Sequence, residues 1–119
     1  MDSYTQLDAW AVGLDLVGEV YELTKDFPRE EMYGLTSQMR RASTSILLNI
    51  AEGFGRYTYA DKANKYTIAR GECNEVEACL FIAIKLRYCT HARVKQSFEL
   101  VIREKKLLSG LMTASKARA

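Results

Sequence analysis

Apolar and small side chains recur at alternating spacings of three and four residues along four separate segments of this 119-residue sequence. In the second segment, for example, Leu35, Met39, Ala42 and Ile46 follow this spacing. Such an alternation puts the side chains on one stripe of a helix, the seam along which bundled helices pack. Pro28 is the single proline in the sequence, so several long helices can run without interruption. The pattern predicts an all-α fold.

The ends of the segments predict helices at about 6–26, 30–53, 59–88 and 92–114, within one domain that covers residues 1–119. Pro28 separates the first two helices because proline disfavours helical geometry in the residue before it. Gly53 and Gly55 end the second helix, and Thr58 and Thr90 are suitable N-caps for the next two. Because the connections are short, we expect an antiparallel, up-down-up-down four-helix bundle.

Two stretches, residues 46–50 and 80–84, are almost entirely apolar and carry more hydrophobic surface than one seam can hide. A helix in a monomeric bundle should keep a polar outer face, so we expect other copies of the chain to cover the surplus. Gly71, in the middle of the third helix, is expected to allow close approach of a neighbouring element. The sequence therefore predicts a homo-oligomer, with contact candidates Leu47, Leu48, Phe81 and Ile82.

A polar stripe, which includes Arg41, Asn49 and Glu52, lies beside the apolar seam of the second helix. If the following turn centres near residue 56, antiparallel packing brings Arg41 opposite Glu72 and Glu75. We expect Arg41 to pair with one of these carboxylates within a structural polar network of all five residues. An unpaired charge would be costly at a buried site. The alternative is that these side chains simply face solvent.

The net charge of +2 conceals a strong asymmetry along the chain. Residues 1–35 hold eight acidic and two basic side chains, whereas residues 36–119 hold seven acidic and fifteen basic ones. A basic segment attracts polyanions, and phosphate contacts depend more on charge than on shape. The alternative is that the basic fourth helix packs beside the acidic first helix and is partly neutralised. The candidates for contacts with RNA or DNA are Arg93, Lys95, Arg103, Lys105 and Lys106.

No arrangement of residues in the sequence is typical of an enzyme. His91 is the single histidine, and no glutamate precedes it at the Glu-x-x-His spacing of di-metal bundles. No glycine-rich phosphate loop follows a strand, because no strand is expected. A third hypothesis, a ribonuclease that uses Arg87 and His91, predicts that substitution of His91 changes RNA turnover. We expect no catalytic residue, metal, cofactor or small-molecule substrate.

The sequence also indicates a cellular compartment. No run approaches the ~18 apolar residues that cross a bilayer, and the N-terminal residues lack the basic start and apolar core of a secretion signal. Cys73, Cys79 and Cys89 form no CxxC pair, and we expect them to be small core residues in a reducing compartment. We therefore expect a cytoplasmic protein with no membrane partner.

Residues 27–53 carry a motif that resembles a known family. The motif consists of Phe27-Pro28, Glu31, Tyr33-Gly34-Leu35, Gln38, Arg40-Arg41-Ala42, Ser45-Ile46 and Asn49-Ile50-Ala51-Glu52-Gly53. Together with Ala69, Gly71, Glu75 and Leu80, it is similar to the four helix bundle protein family. That family includes the intervening-sequence proteins encoded within some bacterial large-subunit ribosomal RNA genes. The sequence is also similar to the accessory variability determinants of diversity-generating retroelements.

The resemblance implies a pentamer of four-helix bundles, arranged as a barrel around a central channel. It also implies that some members associate with nucleic acid. We therefore expect a non-enzymatic, pentameric protein that forms a ring and binds RNA or DNA through a basic surface. The alternative is a protein–protein scaffold or adaptor that binds no nucleic acid. Architectural roles are implied for Arg41, Asn49, Glu52, Gly71 and Glu75.

Overall fold

The computed structural model describes residues 2–119, and four helices account for most of them. The helices are α1 (Asp8–Thr24), α2 (Leu35–Gly55), α3 (Tyr59–Lys85) and α4 (His91–Arg118), with short 3₁₀ turns at Tyr4–Gln6 and Arg29–Glu31. No strand occurs in residues 2–119, so the predicted all-α class is confirmed. The molecule measures 45 × 25 × 21 Å.

Each helix packs against two others around one hydrophobic core. Helix α1 contacts α2 and α4, and α3 contacts the same two helices. A hydrogen bond from Arg40 to Thr24 (2.8 Å) and an ion pair between Lys65 and Glu52 (3.0 Å) each join the end of one helix to the start of the next. The core consists of fully buried side chains from all four helices, among them Leu16, Met39, Ile46, Leu80, Val101 and Leu108.

Helix α2 begins at Leu35, five residues later than the predicted start at residue 30. The acidic residues after Pro28 form a 3₁₀ turn instead of the first turn of α2. One Glu31 carboxylate oxygen accepts the Leu35 backbone N–H (3.1 Å), and the other accepts the Tyr88 hydroxyl (2.7 Å). The Tyr88 hydrogen bond, followed by the one from Leu35, lowers the pKa of Glu31. Glu31 therefore caps α2 from outside the helix.

Helix α3 ends at Lys85, three residues before the predicted end at residue 88. Arg87 has a φ of 63°, in the left-handed region that usually requires glycine. The backbone N–H groups of Arg87 and Tyr88 donate to the carbonyls of Ile84 and Ala83, both at 2.9 Å. This pair of bonds is a Schellman cap. The chain then enters α4 at His91, where Thr90 accepts a hydrogen bond from the Arg93 N–H (3.1 Å).

The sequence spacing in α4 predicts a seam of Val94, Phe98, Val101, Lys105, Leu108 and Met112. The buried seam departs from it by one residue at two levels. Ser97 and Glu104 are fully buried, whereas the predicted seam residues Phe98 and Lys105 lie partly exposed. This shift brings the Phe98 ring to 4.9 Å from that of Phe81, and the Lys105 amine to Glu77 (3.3 Å). Helix α4 therefore gains contacts along its edge with α3 while it buries a carboxyl group.

Candidate functional site

The polar stripe on α2 forms the expected contact with α3. Two guanidinium nitrogens of Arg41 donate to Glu72 (3.1 Å) and Glu75 (2.6 Å). These carboxylates, with the Glu75 hydrogen bond as the largest cause, raise the pKa of Arg41. The Arg41 side chain is 55% exposed, so solvent screens the pair and limits its contribution to about 1 kcal/mol.

The five residues of the predicted polar network do not form one network, which corrects the prediction. The Asn49 amide donates to the carbonyl and hydroxyl oxygens of Ser45, one turn earlier on its own helix (2.9 and 3.1 Å). Glu52 pairs with Lys65 (3.0 Å) and Arg56 (3.5 Å), near the opposite end of α2 from Arg41. The side chains find separate partners because each reaches only the residues at its own level of the bundle.

Leu47 is buried within this chain, which leaves little of its side chain for the predicted contact with another copy. Its side chain is 7% exposed and packs against Gly13 of α1. A Cβ atom added at Gly13 would lie 2.7 Å from Leu47 Cδ2, so the missing side chain makes room for Leu47. The other three candidates are exposed on the surface: Leu48 (63%), Phe81 (57%) and Ile82 (48%).

The exposed apolar side chains flank the outer face of α3. At the edge with α2, Leu48 lies on the bundle between the ion pairs of Arg41 and of Glu52. Ile68 of α3 lies at the same height and is 41% exposed. At the edge with α4, the Phe81 ring packs against Phe98. Between these edges, a Cβ atom built on Gly71 would meet nothing within 4 Å. The expected close contact at Gly71 is therefore absent within this chain.

The five basic candidates on α4 divide into paired and unpaired groups. Arg93 pairs with Glu19 of α1 (3.6 Å), and Lys105 pairs with Glu77 of α3 (3.3 Å), so both are partly neutralised. The alternative that the acidic first helix partly neutralises α4 therefore fits Arg93, whereas the partner of Lys105 lies on α3. The remaining three are exposed and form no ion pair within residues 2–119: Lys95, Arg103 and Lys106.

A second basic region lies at the end of the bundle where α2 leads into α3 and α4 finishes. It is a cavity of about 450 Å³, here called the end groove, whose lining includes Phe54, Tyr59, Lys62, Tyr66, Leu111 and Arg118. The Lys62 amine donates to the Phe54 carbonyl (2.6 Å), and the Arg118 guanidinium donates to the Tyr59 hydroxyl (3.1 Å). Both cations also lie over the rings of these partners, at 5.6 and 5.5 Å from the ring centres.

Sequence reasoning missed the end groove, although a local signal was present. Three aromatic and two basic residues lie from Phe54 to Lys62, around the turn that joins α2 to α3. Arg118 lies 56 residues beyond Lys62 along the chain. Its place in the groove depends on α4 continuing to Arg118, beyond the predicted end at residue 114.

Glu104 is a buried acid that sequence reasoning also missed. Neither carboxylate oxygen has a hydrogen-bond partner within the described residues. Burial raises the pKa of Glu104 to about 8. A Cβ atom on Gly13 would lie 2.6 Å from one of these oxygens, so the carboxyl group occupies the space beside this glycine. Glu104 lies three residues after Val101 and four before Leu108, so a seam through Ser97 and Glu104 has the same alternating spacing as one through Phe98 and Lys105.

The cysteines lie inside the bundle or at its edge. Cys73 and Cys79 are buried, Cys89 is partly buried, and all three are free thiols. Burial, with a further contribution from the nearby Glu104, raises the pKa of Cys73 to about 12. These thiols are therefore poor nucleophiles and poor metal ligands.

Each helix within residues 2–119 is too short or too polar to cross a lipid bilayer.

Comparisons with known proteins agree with this architecture. The family described as 23S rRNA-intervening sequence protein matches residues 5–110. A crystal structure of a protein with unknown function, from the S23 ribosomal protein family of Bacteroides thetaiotaomicron, is similar to the whole bundle. The two sequences are 27% identical, and the match covers 87% of this chain and 97% of that chain with a TM-score of 0.80. No curated protein matches the sequence significantly.

Proposed function

Because this chain belongs to the 23S rRNA-intervening sequence protein family, we propose that it is a non-enzymatic, cytoplasmic protein that binds RNA or DNA as a homo-oligomer. In this proposal, five up-down-up-down four-helix bundles form a ring. The observation that carries the nucleic-acid part is the set of three unpaired cations on α4, namely Lys95, Arg103 and Lys106.

These cations share one face of α4. Lys95, Glu99, Arg103 and Lys106 follow each other at spacings of four, four and three residues, so their side chains project in one direction. The row spans roughly 17 Å at 1.5 Å per residue, a length that covers several phosphates of one strand. Glu99 reduces the net charge of the row to +2 per chain, and assembly into a ring would repeat this charge on every copy.

Exposed apolar side chains support self-association. Leu48, Phe81 and Ile82 are each about half exposed or more, and Ile68 and Ile102 are more than 40% exposed. Most lie on α3 or beside it. Soluble monomers rarely leave such side chains grouped on one face. A neighbouring copy is the simplest cover, and in a ring of five the apolar face of one copy would meet a different face of the next copy.

The nucleic-acid proposal predicts binding that weakens steeply with salt. Fluorescence anisotropy of a labelled RNA hairpin and of a DNA duplex of the same length should show binding at ~50 mM salt and much weaker binding at ~200 mM. The double variant Arg103→Gln/Lys106→Gln should lower the slope of log K against log salt by about 2 per chain. The control variant Arg29→Gln/Lys85→Gln removes the same charge elsewhere and should keep the slope of the unmodified protein.

The result also separates the two classes of function. A slope that both double variants reduce equally would show that net charge, and not the row on α4, causes binding. Absence of binding to either probe at ~50 mM salt would contradict the nucleic-acid proposal and favour a protein–protein scaffold instead.

A further inference from the structure

We infer that the end groove binds an unpaired nucleobase of single-stranded RNA or DNA, with aromatic rings stacking on the base and Lys62 and Arg118 contacting its phosphates. This inference deepens the proposed function and rests on it. The end groove lies where α2 ends and α4 finishes, and it is separate from the row of cations on α4. The groove combines the two groups that single-strand binding requires, exposed rings and unneutralised cations.

The aromatic side chains at this end come from separate parts of the chain. Tyr4 packs edge-on against Trp10, with ring centres 4.7 Å apart, and against Phe54 at 6.4 Å. These contacts hold the Phe54 ring in place beside Lys62. Tyr59 is 39% exposed and Tyr57, in the connection before α3, is 98% exposed. Rings that remain open to solvent beside a fixed aromatic cluster are suited to stacking on a base.

The two cations of the groove keep their charge available. Lys62 and Arg118 donate to a carbonyl and to a hydroxyl, neither of which carries a charge. No carboxylate is among the described residues that line the cavity. The cations therefore face the groove without a counter-ion, whereas the nearby Arg56 and Lys65 are both paired with Glu52. A phosphate would provide the missing negative charge.

The size of the groove suits a nucleotide. Its volume of about 450 Å³ lies within the range of sites that bind small molecules of this size. Stacking on a protein ring requires a base that has left its own duplex, because paired bases already stack on their neighbours. The groove should therefore prefer single strands, while the row on α4, which offers charge alone, should bind duplex and single strand similarly.

The test compares single-stranded and duplex probes with matched variants. Anisotropy titrations use labelled oligouridine, oligothymidine and a blunt duplex of equal length, so that RNA and DNA are distinguished. The variant Tyr59→Leu should weaken binding of the single strands about tenfold or more, as the loss of one stacked base implies. The variant Lys62→Gln/Arg118→Gln should lower the single-strand salt slope by roughly 1.4.

A control tyrosine is available at the other end of the molecule. Tyr33 is 97% exposed and precedes α2, whereas Tyr59 follows it, so about 32 Å of helix separates them. Tyr33→Ala should leave all affinities unchanged. Tyr59→Phe keeps the ring that lines the groove and should keep the single-strand affinity, so a loss in Tyr59→Leu alone identifies stacking.

The outcomes separate this inference from the function on which it rests. Weaker single-strand binding with unchanged duplex binding in the groove variants supports it. Unchanged single-strand binding in those variants, together with a loss in Arg103→Gln/Lys106→Gln, overturns the inference and keeps the proposed function. If the unmodified protein binds no probe, both are overturned.

Discussion

Glu104 is the residue with the clearest energetic consequence. Its carboxyl group is fully buried among four helices and has no hydrogen-bond partner in the described chain. A charged carboxylate there would be very unfavourable, so the protonated form persists to unusually high pH. The Cys73 thiol on α3 is close enough for its pKa to be raised further by Glu104, and on α1 the neighbour is Gly13.

The bundle should therefore lose stability as the pH rises towards 8. The pKa of Glu104 is about 8 in the folded chain and about 4.5 when unfolded, so the folded state holds an extra proton between these values. The stabilising contribution is complete below pH 4.5 and is lost at up to about 1.4 kcal/mol per pH unit as the pH rises. Glu31 and Glu52 have lowered pKa values, so their contributions change only at lower pH.

Urea unfolding at a fixed protein concentration, repeated from pH 5 to pH 8, measures this dependence. The variant Glu104→Gln keeps the shape of the side chain and removes the titration, so its free energy of unfolding should change much less over the same range. Parallel curves for the two proteins would show that Glu104 does not titrate in this window.

At the scale of the elements, the helix ends contain the largest departures from sequence-based expectation. The segments and their type were predictable because the heptad spacing is continuous through all four. The start of α2 was not predictable, because it depends on the contact between Glu31 and Tyr88, which lie 57 positions apart in the sequence. The end of α3 was not predictable either, because Arg87 occupies the left-handed position where a glycine usually marks the end of a helix.

Arg87 should therefore be a site where glycine stabilises the protein. A left-handed residue with a side chain costs about 1 kcal/mol, so Arg87→Gly should raise the free energy of unfolding by roughly this amount. The control Lys85→Gly, within the last helical turn, should lower it by about 1 kcal/mol. Both values can be measured by chemical denaturation, and a loss of stability in Arg87→Gly would contradict the Schellman cap.

For the molecule as a whole, the sequence patterns predicted the helices better than they predicted which side chains lie on the surface. The pairing of Arg41 with Glu72 and Glu75 followed from antiparallel register alone. The exposure of Leu48 was foreseen, but the burial of Leu47 was not, because it depends on the space left by Gly13 on another helix. The end groove combines residues from α2, α3 and α4, so no single segment contained its full pattern.

We propose that copies of this chain cover one another's exposed apolar side chains on α3 and at its edges. Light scattering coupled to size-exclusion chromatography tests it most directly, because it gives the mass in solution without assuming a shape. We expect one species of five 13.5 kDa chains, near 68 kDa. A stable species at 13.5 kDa, with Leu48, Phe81 and Ile82 in water, would contradict it.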